Sequence, residues 1–162
     1  MATNAAPIYG KQYIRYAETW EAATNAEAGS PAATAAGTAV GVVEVGELRV
    51  VSYLVSAGPN VAAAPDAFAT APSTIAGVNQ AYMPTALAQP YTARQMTVAT
   101  SGLLLIEVDP ASAAITLNTP LQVNLLGQAT AAGTAVSLDG TTPLIREGVD
   151  IGGRKLVLVS FA

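Results

Sequence analysis

The closing run of the chain, Lys155 to Ala162 (KLVLVSFA), decides the fold. Side chains alternate across a strand, so Leu156 and Leu158 share one face, and Val157, Val159 and Phe161 share the other. A strand that is apolar on both faces is buried on both faces. Such a strand belongs inside a sandwich or beneath a contact between subunits.

Working outward, Met96 to Val108 (MTVATSGLLLIEV) reads as a strand pair, or as one strand bent at Gly102, closed by Asp109-Pro110. Beyond it, Ile115, Leu117, Leu121, Val123 and Leu125 alternate with Thr116, Asn118, Gln122 and Asn124. That period of two marks strands with one wet face. Pro120 falls on the polar side and marks an edge, a bulge or a turn. Gly127, Gly133 and Gly140 follow, and Asp139-Gly140 is a hairpin cue.

Toward the N-terminus, Val40 to Val45 and Leu48 to Val55 are β-branched runs broken at Gly46. In the second, Leu48, Val50, Ser52 and Leu54 face one way and Glu47, Arg49, Val51, Tyr53 and Val55 the other. Ser56 to Thr74 is rich in Ala and Pro and reads as a long connection, a length often tied to function. Ile75 to Tyr82 forms a short strand around Gly77, and Met83 to Ala93 another loop. The octapeptide ATAAGTAV occurs at Ala33–Val40 and again at Ala129–Val136, consistent with two related turn-to-strand units or with chance in a chain so rich in these residues.

Residues 1–30 differ from the rest, holding Tyr9, Tyr13, Tyr16 and Trp20 in a polar setting. Tyr13, Ala17, Trp20 and Thr24 have helical spacing, and the same residues fit an extended arm anchored by its aromatics. Such an arm packs on a neighbour, or its aromatics cap this chain's own core. The expected fold is all-β: a single compact β-sandwich or barrel-like domain over residues 31–162, with an extended N-terminal arm over residues 1–30 and long loops.

Composition narrows the function. The 162 residues suffice for one domain. Only 11% are charged, against about 25% in ordinary soluble proteins. This reflects either a bias toward Ala, Thr and Gly or a surface covered by other subunits. The net charge is −4, and the basic residues are scattered, with Arg154-Lys155 the one adjacent pair. No nucleic-acid partner is expected. No apolar run approaches the roughly 20 residues of a membrane helix, so no membrane partner is expected.

The chain has no histidine and no cysteine. Ser-His-Asp and Cys-His triads are therefore excluded, along with the usual zinc sites. Lys11 and Lys155 lie in no nucleophile motif, so a Ser–Lys dyad has no support. Glu107 and Asp109 share a strand face, but they sit where a strand ends before a proline and charge is expected anyway. The segment from Gly148 to Lys155 lacks the phosphate-loop spacing, since Leu156 follows the lysine. Asp139, Glu147 and Asp150 read as solvated loop carboxylates. No catalytic residue, cofactor or metal is expected.

The stretch 97–161 contains VATSGLLLIEVD from Val98, then AITLNTPLQVNLLGQATAAGT, then IREGVDIGGRKLVLVSF. It resembles the capsid decoration, or cement, proteins of tailed bacteriophages. The resemblance implies a homotrimer on the outer surface of the virion, bridging major capsid protein subunits. Under it, Tyr9, Tyr13, Tyr16 and Trp20 are the first candidates for capsid or subunit contact, because aromatics are enriched at binding hot spots. Phe68, in the Ala57–Pro72 loop, and Phe161 join them. The alternatives are another virion part (a tail-tube, fibre or head-spike subunit) or, from a different class, a carbohydrate-binding module or small hydrolase. Sugar binding would draw on Trp20, Tyr53, Tyr82 and Tyr91.

Overall fold

A computed structural model describes residues 12–22, 47–53, 61–63, 74–80, 95–115, 120–135, 144–149 and 154–161. Among the described residues there is no helix, and the fold is all-β. The strands are β1 (Tyr13–Ala22), β2 (Val50–Tyr53), β3 (Val61–Ala63), β4 (Thr74–Asn79), β5 (Gln95–Glu107), β6 (Gln122–Val123), β7 (Thr134–Ala135), β8 (Leu144–Val149) and β9 (Lys155–Phe161).

Seven strands form one sheet in the order β1-β3-β2-β4-β5-β9-β8, and β1 also pairs with β5. The pairings β1–β3, β3–β2, β2–β4, β4–β5 and β5–β1 therefore close a ring. Only β1–β3 is parallel. β9 and β8 extend from the second half of β5, and β6 pairs with β7 as a separate two-stranded sheet.

β5 is the spine. Its first half pairs with β1 and β4, and residues from Gly102 to Glu107 pair with β9. Before the bend, Val98 packs in a cluster with Trp20, Val51, Ala76 and Met96, while Ala99 faces the other cluster. After it, Leu104 and Ile106 join the Ala99 cluster and Leu105 points away. The faces thus exchange parity between Ala99 and Leu104. The cause is local: β1 and β5 slip register where Ile14 meets Gly102, Tyr16 meets Ser101 and Ala17 meets Ala99. A bulge re-aims side chains in this way. Of the two expectations for Met96 to Val108, the single strand is the one observed: β5 runs unbroken past the irregularity beside Gly102, and its halves serve different neighbours.

Gly102 lies between two strands, with Ile14 across one edge and Phe161 across the other. Its φ is +127°, and a Cβ there would overlap the Tyr13 carbonyl. Only glycine accepts both conditions.

β9 is buried on both faces, as its sequence requires. Val157, Val159 and Phe161 enter the largest cluster with Val50, Val78, Leu104, Ile106 and Val108; Leu156 and Leu158 pack with Leu48 and Leu105. Leu121, Val123 and Ala129, from around the small sheet, complete the largest cluster. Each of the buried Val, Leu, Ile and Phe side chains contributes about 1.5–3 kcal/mol on burial.

Three segments depart from expectation. Tyr13, Ala17 and Trp20 lie on a strand instead of a helix, because β5 supplies a pairing partner from Tyr13 to Glu21. Ten residues of the expected arm are therefore part of the sheet. The run expected as a strand from Leu48 instead begins at Val50, since Leu48 has φ of 58° in a turn. Its amide donates to the Asn79 carbonyl at 2.8 Å and its carbonyl accepts the Glu107 amide at 2.7 Å, so both neighbours hold the left-handed residue in place. Glu147, expected in a loop, lies on β8, which pairs with β9 from Leu144 to Val149. The Val40–Val45 run, the first octapeptide copy and the Asp139-Gly140 hairpin lie outside the described residues.

Candidate functional site

The six candidate contact residues separate into three groups. Tyr9 and Phe68 lie outside the described residues. Tyr13 and Tyr16 stand on β1, 64% and 65% exposed, with Ile14 between them at 40%. Trp20 and Phe161 face inward: both are buried in this chain's own core. Trp20 packs on Tyr53 with ring centroids 5.3 Å apart and planes tilted by 49°. Phe161 joins the Leu104 cluster. The pairing of β1 and β9 with β5 carries both side chains inside this chain. Trp20 is among the aromatics that cap the core; Tyr13 and Tyr16 are not.

β1 is thus a strand with a buried end and a bare end. Its residues from Tyr13 to Thr19 are exposed on both faces. The two tyrosines and Ile14 are exposed on the part of β1 that pairs with β5 through a bulge. Rigid aromatic side chains on a fixed strand lose little entropy on binding, which suits them to contact.

A second apolar feature escaped the sequence reading. Leu125 and Leu126 are 69% and 46% exposed at the tip of a turn, although Leu125 was expected to continue an apolar strand face. The Asn124 side chain builds the turn. Its Oδ1 accepts the Leu126 amide at 2.9 Å and the Gln128 amide at 3.0 Å, while its Nδ2 donates to Gln128 Oε1 at 3.0 Å. Gly127 follows with φ of +78°. The signal was present: Asn and Gly three residues apart favour a turn.

The carboxylates of Glu107 and Asp109 are occupied structurally. Arg49 Nε donates to Glu107 Oε2 at 2.7 Å, and Gln128 Nε2 donates to the same oxygen at 3.3 Å. Asp109 Oδ1 accepts the Ala111 amide at 2.9 Å and its Oδ2 accepts from Asn124 Nδ2 at 3.2 Å. The cluster clips the Asn124 turn and Arg49 to the end of β5. Among the described residues, no serine, threonine or lysine side chain hydrogen-bonds to these two carboxylates. No group of three metal-ligating side chains occurs among the described residues. Among them, too, no helix is long and apolar enough to cross a membrane. Asp139 and Asp150 lie outside the described residues, as does the side chain of Glu147.

The chain matches no protein-family model, no curated protein and no solved structure.

Proposed function

We propose that this chain is a non-catalytic structural virion protein, a capsid decoration protein. It binds the outer surface of a tailed-phage head and stabilises contacts between major capsid protein subunits. The observation that carries the reading is the bare half of β1, where Tyr13, Ile14 and Tyr16 are exposed on a rigid strand whose other end is anchored in the core. The sequence resemblance over 97–161 supplies the kind of assembly, and with it a homotrimeric state. A chain without histidine or cysteine suits a role made of contact area. Several subunits gripping one shell would gain affinity from multivalency.

The test is to mix the purified chain with undecorated heads and to measure binding and the temperature at which the heads open. Stoichiometric decoration with a raised opening temperature is expected. No binding, or binding without a gain in heat stability, would sink the proposal.

A further inference from the structure

In a regular strand Tyr13 and Tyr16, an odd number of residues apart, would stand on opposite faces. The register of β1 on β5 places them on one face instead. Tyr13 pairs with Leu103 and Tyr16 with Ser101, two positions apart on β5, so Arg15 is the extra residue of a bulge. Residues paired across two antiparallel strands share a face, as do alternate residues along one strand. Ile14 pairs with Gly102 and takes the other face. The second slip adds its extra residue to β5, where Tyr16 to Ala17 is matched by Ser101 to Ala99. β1 itself alternates normally there, so Glu18 returns to the face of Tyr16, opposite Val98. The bulge thus makes a file of three exposed side chains, ring, ring and carboxylate, each about 6–7 Å from the next along the sheet. Among the described residues Glu18 makes no ion pair, and no cation stacks on either tyrosine.

We propose that this face of β1 takes an arginine side chain of the partner surface, with the guanidinium over the tyrosine rings and its N–H groups donating to the Glu18 carboxylate. The face of an aromatic ring attracts a cation. A guanidinium is flat and weakly hydrated, so it stacks on a ring while its edge donates to a carboxylate; an ammonium is a compact, strongly hydrated point charge without that fork. Charge agrees with the assignment. The chain is net −4, and β1 itself is net negative, with Glu18 and Glu21 against Arg15. Such a surface favours a basic partner and disfavours an acidic one. The inference rests on the capsid reading only for who the partner is, and deepens it by naming the group that the shell presents.

The test uses the full-length chain without heads. The tripeptide N-acetyl-Gly-Arg-Gly-amide is titrated while backbone amide and tyrosine ring resonances are followed by NMR. The comparison peptide carries citrulline, the neutral isostere, in place of arginine. Saturable shifts centred on Tyr13, Tyr16 and Glu18 are expected, with the arginine peptide bound at least about threefold more tightly than the citrulline peptide. Glu18→Gln and, separately, Tyr16→Leu should each weaken the arginine peptide by about threefold or more, while the amide resonances of β9 stay in place. Equal affinity for the two peptides, shifts that bypass β1, or a Glu18→Gln titration matching that of the unaltered chain would overturn the assignment. Head binding separates the two readings. Heads that bind the unaltered chain and Glu18→Gln equally well overturn the arginine contact alone, and heads that bind neither overturn the capsid reading alone.

Discussion

The carbonyl oxygen of Tyr13 occupies the space that a Cβ of Gly102 would need, so β1 reaches β5 only because residue 102 has no side chain. Gly102→Ala therefore combines a steric clash with a φ of +127° that alanine rarely adopts. A loss of about 2 kcal/mol or more is expected. Urea unfolding followed by Trp20, the single tryptophan, measures it.

Phe161 and Tyr16 should behave oppositely. Phe161→Ala opens a hole among Leu104, Val157 and Val159 and should cost about 3–5 kcal/mol. Tyr16→Ala removes an exposed ring and should shift stability by less than about 0.5 kcal/mol. Under the capsid proposal, Tyr13→Ala with Tyr16→Ala weakens head binding by about tenfold or more. Thermal unfolding and a head-binding titration check the pair of outcomes; normal decoration by the double variant would remove these tyrosines from the contact.

Asn124→Ala takes away the oxygen that accepts the Leu126 and Gln128 amides. The turn should loosen at a cost of about 1–2 kcal/mol. Hydrogen exchange at those two amides should speed up, while exchange in β9 stays slow.

Glu107→Ala leaves Arg49 and Gln128 without their shared acceptor. The ion pair is partly exposed, so the expected loss is about 1–2 kcal/mol, short of the cost of a fully buried charge. Glu107→Gln keeps an oxygen acceptor in place and should cost less. Equal losses from the two variants, measured by urea unfolding, would show that charge contributes most of the interaction.

The sequence alone determined the parts whose energetics are local to a strand. The two-sided apolar pattern of KLVLVSFA required burial on both faces, and β9 is buried on both because five of its side chains have nowhere wet to go. The lack of histidine and cysteine limited the chemistry in the same direct way. Tertiary structure decided the rest. Tyr13, Ala17 and Trp20 satisfy a helical spacing as well as a strand, and only the pairing partner at the far end of the sequence distance, β5, settled the matter. The same pairing sorted the aromatics, burying Trp20 against Tyr53 and leaving Tyr13 and Tyr16 bare. It also set the parity switch near Gly102, which no period of two can announce, because a bulge is a relation between two strands. Which aromatic faces solvent is a property of the sheet around it, and β1 carries both answers along ten residues.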